Sequence, residues 1–204
     1  MSNVARPAEP TVVPADAFEP RGGGAGRAKP VFYYDLASPV AYLAAERVNH
    51  VLGEVPEWIP VQLGDVGPFR CHEEVLAYRE DVERIAARQG VQPLRWPEPF
   101  PADSEFAMLA ATYAKQIGRA VAFSLAAFRQ AYAAGRSLEE VDNVLIAAAA
   151  CEMHPAALVK GAELRGTKDA LAANTERARA DGVLTLPAMW VDGRVLEGER
   201  AIPA

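Results

Sequence analysis

The chain has 204 residues, half of them hydrophobic and 24% charged, which suits one globular domain, or one domain with an insertion, able to bury a real core. The formal net charge is −6, with no basic run and no aromatic-basic stripe, so nucleic acid is excluded as an expected partner. No apolar run approaches the roughly 20 residues needed to cross a bilayer, so no membrane partner is expected either.

Residues 1–29 are rich in Pro, Ala and Gly and lack the basic start and apolar middle of a secretory signal. They read as a disordered tail that buries too little to offset its ordering entropy. The two cysteines, Cys71 and Cys151, lie far apart and form no Cys-x-x-Cys. Together these features lead us to expect a cytoplasmic protein with reduced thiols.

Val31-Phe32-Tyr33-Tyr34-Asp35 is an apolar, aromatic run that predicts a buried strand. Ser38 suits a helix N-cap and Pro39 a first helical position, which predicts a helix over Val40 to Leu52, stopped by Gly53. Trp58 to Leu63 alternates enough for a second strand, so the opening unit is strand, helix, strand with a parallel pair and a right-handed crossover.

The pattern then turns helical. Val75, Leu76, Val82, Ile85 and Ala86 mark one face before Gly90, and Val91 to Pro101 carries four prolines and reads as an irregular connector. Phe106, Leu109, Ala110, Tyr113 and Ile117 have helical spacing, as do Val121, Leu125, Phe128 and Tyr132. Ser137 with Glu140 predicts a capping box for the next helix. A short turn is expected around Pro155 to Val159, then a last helix ending near Asp181-Gly182. Ala188 to Val191, the turn Asp192-Gly193 and Arg194 to Leu196 predict a closing hairpin led by Pro187.

Two stretches carry a resemblance. The first is Phe32-Tyr33-Tyr34-Asp35-Leu36-Ala37-Ser38-Pro39-Val40-Ala41-Tyr42; the second is Gly182 to Pro187, Asp192-Gly193 and Gly198-Glu199-Arg200. Between them Tyr78, Asp81, Arg84, Ala87, Gly90, Pro93 and Pro97 fall at matching places. This order resembles the DsbA-like branch of the thioredoxin superfamily, and within it the 2-hydroxychromene-2-carboxylate isomerase and kappa-class glutathione transferase family. The resemblance implies an α/β fold: a thioredoxin-like βαβ…ββ mixed sheet with an all-α insertion between the second and third strands. Residues 30–63 and 182–204 are expected to form the thioredoxin-like domain and residues 64–181 the helical insertion.

The chain departs from that family in three places. Glu199 replaces the aspartate of Gly-x-Asp-Arg, the loop Gly64 to Arg70 has no asparagine, and Thr185-Leu186 replaces Gly-Val. The family continues into a further helix where this chain reads Ala204. The apolar strip such a helix covers is expected to be covered by a second copy, giving a homodimer.

Serine cannot take part in thiol–disulfide exchange, which needs an attacking thiolate. The Ser38 hydroxyl can instead donate to a bound thiolate. A free thiol of pKa ~8.5 is only a few per cent ionised at neutral pH, and lowering that value by about two units takes roughly 2.7 kcal/mol. A hydrogen bond to a charged group supplies about 1.5–3 kcal/mol, and a helix N-terminus about 0.3–2 kcal/mol. Ser38 is therefore the candidate catalytic residue, alongside the plainer reading that it only caps a helix.

The resemblance makes Leu186-Pro187 a cis bond that leaves the Leu186 main chain open to an extended thiol such as glutathione. The plainer reading is a proline starting an edge strand. Glu199 and Arg200 are the candidate contacts for the amino and carboxylate ends of its glutamyl arm, alongside the reading of a solvated surface pair. Tyr33, Tyr34, Phe69 and Trp96 are expected to wall an aromatic pocket. No metal site is expected: adjacent Cys71-His72 and Cys151-x-x-His154 lack zinc-ligand spacing. Ser38 also lacks the Gly-x-Ser-x-Gly turn of a hydrolase.

Two activities follow. One is a glutathione- or other small-thiol-dependent isomerase or transferase acting on a small aromatic or electrophilic substrate. The other is a DsbA-family protein without Cys-x-x-Cys that binds a peptide or thiol without redox turnover.

Overall fold

The structure, a computed structural model, describes residues 28–64 and 66–202. The expected tail therefore lies outside the described residues except at Ala28 and Lys29. Asp65 of the Gly64 to Arg70 loop lies outside them too, as do Pro203 and Ala204.

The aromatic run forms β1 (Val31–Tyr34), which pairs in parallel with β2 (Glu57–Pro60). β1 also pairs antiparallel with β3 (Ala188–Val191), and β3 with β4 (Arg194–Glu197), giving the order β2-β1-β3-β4. This is the expected mixed sheet. Asp192 and Gly193 both adopt positive φ, 49° and 79°, which makes the tight turn between β3 and β4.

β1 has no polar face because neither face meets water. Phe32 and Tyr34 point to one side and join Trp58, with ring centroids 4.9 and 5.5 Å from it. Val31 and Tyr33 point to the other, with Ile59, Val183 and Ala188. A strand covered on both sides loses the period-2 alternation.

Eight α-helices are described. α1 (Pro39–Ala45) and α2 (Val48–Val51) replace the single expected helix, the break falling at Glu46-Arg47, where φ of Arg47 stretches to −115°. α3 (His72–Arg88) buries Val82 and Ala86 and leaves Leu76 exposed, so the predicted apolar face is narrower than its five residues suggested. After the proline connector come α4 (Glu105–Gln116) and α5 (Ala120–Phe128), the latter running into a π-helical turn at Arg129–Ala133.

Two boundaries differ from expectation. α6 (Val141–Ala149) begins at Glu140 rather than at Ser137, and Ser137 Oγ instead accepts from the nearby Glu139 N at 3.3 Å. No capping box forms. The expected turn at Pro155 is α7 (Pro155–Glu163), a helix with proline at its first position. α7 meets α4 at Gly161, where a Cβ would come within 2.4 Å of the Tyr113 ring.

α8 (Arg165–Ala180) closes the second face of the sheet through Ala178, while Met108 of α4 and Phe123 and Phe128 of α5 cover the first. The helices therefore cover both faces of the sheet. No helix among the described residues is long and apolar enough to cross a membrane.

Candidate functional site

The register Tyr33 opposite Ala188 fixes the geometry of the site. β1 leaves the sheet toward Ser38 at the end where Leu186-Pro187 enters it as β3, although the two segments lie far apart in sequence. The pairing of Ala188 with Glu197 brings Gly198–Arg200 to that same end.

The turn after β1 is held from several sides. Asp35 O accepts from Ser38 N at 3.1 Å, and Asp35 Oδ1 accepts from Ala37 N at 2.8 Å and from Ser104 Oγ at 3.1 Å. Leu36 N donates to Met108 Sδ at 3.2 Å, and the Tyr132 hydroxyl donates to Ala37 O at 2.5 Å. Burial pushes the Tyr132 phenol well above its usual range, so it stays a neutral donor.

Ser38 is the N-cap of α1, extended at φ −88° and ψ 113°, with Oγ accepting from Ala41 N at 3.2 Å. That bond leaves the hydroxyl proton available for another acceptor. A redox enzyme's second cysteine would stand three residues after its first; here that position is Ala41. The side chain is deeply placed, with Ser38 only 1% exposed. Beside Leu36 and Ala37 remains a cavity of about 10 Å³ edged by Phe100, Ser104 and Tyr132. This conformation therefore has the corner closed.

The Leu186-Pro187 bond is cis. Both residues are buried, and Pro187 O accepts from Gly198 N at 2.8 Å. Glu199 is already paired, with Arg88 Nη2 2.6 Å from its Oε1, while Arg200 is exposed beside a cavity of about 420 Å³ along β4.

The four aromatic residues expected to wall one pocket do not meet. Tyr33 lies on the second sheet face and donates to Asp181. Tyr34 lies on the first, its hydroxyl 2.6 Å from Ser124 Oγ, and burial holds its phenol neutral. Phe69 and Trp96 do share a cluster, gathered on Phe100 at 6.2 and 5.0 Å, with the Arg79 guanidinium 5.1 Å from the Trp96 ring. Sequence reasoning missed Phe100, Arg79 and Glu197. Phe100, flanked by Pro99 and Pro101, carried a visible signal as the aromatic inside the connector.

Cys71 is exposed, Cys151 is buried, and both thiols are free. Among the described residues no three His, Cys, Asp or Glu side chains are gathered to hold a metal.

A helix-capping residue and a cis-proline at the same end of a β2-β1-β3-β4 mixed sheet mark a thioredoxin-like protein. The chain matches the DSBA-like thioredoxin domain over residues 31–204 and belongs to that family. A solved 2-hydroxychromene-2-carboxylate isomerase superposes with a TM-score of 0.72 at 20% identity, covering 83% of this chain and 88% of that one. A probable DsbA oxidoreductase from Streptomyces coelicolor gives 0.66 at 18% identity, covering 83% of each chain. The cytosolic disulfide reductase DsbM of Pseudomonas aeruginosa gives 0.61 at 15%, covering 82% and 87%. At such identities the likeness is one of fold. No curated protein matches the chain.

Proposed function

We propose that this protein is a small-thiol-dependent isomerase or transferase, with glutathione or a related thiol as cosubstrate and a small aromatic or electrophilic molecule as substrate. The observation that carries this reading is Ser38: a hydroxyl with an unused proton at a helix start, in the place of a redox cysteine, at the end of the sheet where a cis-proline enters β3. As donor to a bound thiolate, Ser38 keeps the sulfur ionised and nucleophilic. α1 has only seven residues, so its dipole adds about 0.3 kcal/mol, the low end of the usual range, and the hydroxyl supplies most of the effect. In the isomerase form the thiolate adds to a conjugated carbon, allows rotation about the former double bond and leaves again, so the thiol is not consumed.

Because Ser38 is only 1% exposed, thiol entry requires its surroundings to open, and the proline connector, whose Pro97 and Phe100 line the small cavity beside Leu36 and Ala37, is the part proposed to move. Leu186, Pro187 and Arg200 are the further contacts proposed for the thiol, and Glu199 joins them only if it exchanges Arg88 for the ligand. A cytoplasmic homodimer is part of the same proposal, with mass by light scattering as its check. Titration calorimetry with glutathione and S-methylglutathione tests the main reading: binding by the native protein, weakened in Ser38→Ala, supports it. Absence of heat with either ligand overturns it.

A second reading has its own support. The closed corner and the Arg88–Glu199 pair suit a module that holds a peptide or thiol without turnover. Thiol binding without any acceleration of glutathione addition to model electrophiles is the result that favours it.

A further inference from the structure

In the loop from Gly182 to Pro187, Val183, Leu186 and Pro187 are buried and Val183 N donates to Ala178 O at 2.9 Å, but between them Leu184 is 78% exposed and Thr185 is exposed too. The amides of that exposed pair are anchored from the end of β4. Glu197 Oε1 accepts from Leu184 N at 2.5 Å and from Thr185 N at 2.8 Å, and Gly198 N donates to Pro187 O at 2.8 Å. Glu197 stands opposite Ala188 in the ladder, so one residue pairs with the first residue of β3 and, through its carboxylate, holds the two consecutive amides that precede Leu186-Pro187.

We propose that Glu197 is a positioning residue for thiol binding. It touches neither the thiol nor the reacting carbon. It sets where the Leu184–Pro187 segment lies relative to Ser38, and so whether a thiol peptide can meet both at once. This rests on the small-thiol reading above. The chemistry favours Glu at this place for two reasons. An ionised carboxylate accepts two amide protons on one oxygen with charge assistance. Its reach from β4 across to the loop also needs the full Glu side chain, so Asp falls short. Since Leu184 and Thr185 are exposed, water takes over their amides when Glu197 is lost. The damage is then local misplacement rather than unfolding.

Glu197→Ala and Glu197→Asp are expected to weaken glutathione binding about tenfold, while Glu197→Gln, whose amide oxygen still accepts both protons, stays within about threefold of the native protein. Amide hydrogen exchange of the unliganded protein provides a ligand-free readout. Leu184 and Thr185 are expected to exchange at least tenfold faster in Glu197→Ala than in the native and Gln forms. Thermal melting checks that each variant is folded.

Native binding with equal affinity in folded Glu197→Ala overturns the positioning role and leaves the thiol reading standing. No binding by the native protein overturns the thiol reading and, with it, the positioning of a thiol. The exchange data then still decide whether Glu197 holds the loop, and unchanged exchange in Glu197→Ala removes the clamp itself.

Discussion

Ser38→Ala separates the cap that the hydroxyl forms from the thiolate contact proposed for it. As a cap, Ser38 accepts from Ala41 N at 3.2 Å, and Ala41 is fully buried, so no water replaces the lost acceptor. Leaving a buried amide unpaired, together with loss of the cap, costs about 1–2 kcal/mol. For a chain of this size that lowers the melting temperature by about 2–8 °C. As a donor to a thiolate, the same hydroxyl is worth about 1.5–3 kcal/mol, or roughly one to two pKa units on the bound thiol. The thiolate absorbs in the ultraviolet and the thiol does not, so difference absorbance of bound glutathione across pH 5–10 reads that pKa directly. The sign is fixed: removing a donor to the charged form raises the thiol pKa, so thiolate seen near neutral pH in the native complex appears only at higher pH in Ser38→Ala. A variant that melts lower but leaves the bound thiol's titration unchanged shows that Ser38 is a cap and nothing more, and refutes the catalytic argument.

Other tests reach the rest of the molecule. Cys71 is exposed, while Cys151 is buried and its thiol is pushed up by desolvation, so iodoacetamide at pH 8 is expected to modify Cys71 alone, read by peptide mass. Burial pulls the Glu57 carboxyl upward, but Lys115 at 2.9 Å and Arg177 at 3.0 Å outweigh it and hold the group below the usual carboxylate range. Its contribution is thus present above the unfolded value and lost as pH falls through the folded one. Urea unfolding should show Glu57→Gln about 0.5–1 kcal/mol less stable at pH 7, with the gap closing by pH 3; a gap independent of pH contradicts the pairing. Gly161→Ala drives a methyl into the Tyr113 ring and is expected to cost about 1–3 kcal/mol in the same assay, whereas Gly166→Ala, with open space around it, should cost nothing measurable.

The ends of the chain's fold were legible for a local reason. Val31–Tyr34 and Ala188–Glu197 carry β-prone residues bounded by clear punctuation, and the Asp192-Gly193 turn admits few alternatives. The middle was less legible where one residue type has two uses. Pro155 opens a helix as readily as a turn, and Ser137 followed by Glu140 satisfies a capping pattern that the chain does not use. The aromatic wall failed for a reason the sequence itself contained. Tyr33 and Tyr34 are neighbours on a strand, so they must point to opposite faces and cannot line one cavity. Glu197 was invisible because its partners, Leu184 and Thr185, lie across a hairpin and are reached through a side chain, which no periodic pattern reports.

The turn at Asp35 to Ser38 is pinned by Ser104 and Met108 at the start of α4 and by Tyr132 in the π-helical turn after α5. The corner is thus a fixed anvil, and under the proposed function adjustment to different guests would fall on the proline-rich strap carrying Trp96 and Phe100. On that proposal, reactivity and selectivity are written in separate stretches of the chain, and exchanging residues 91–101 should retarget the protein while the Ser38 corner stays as it is.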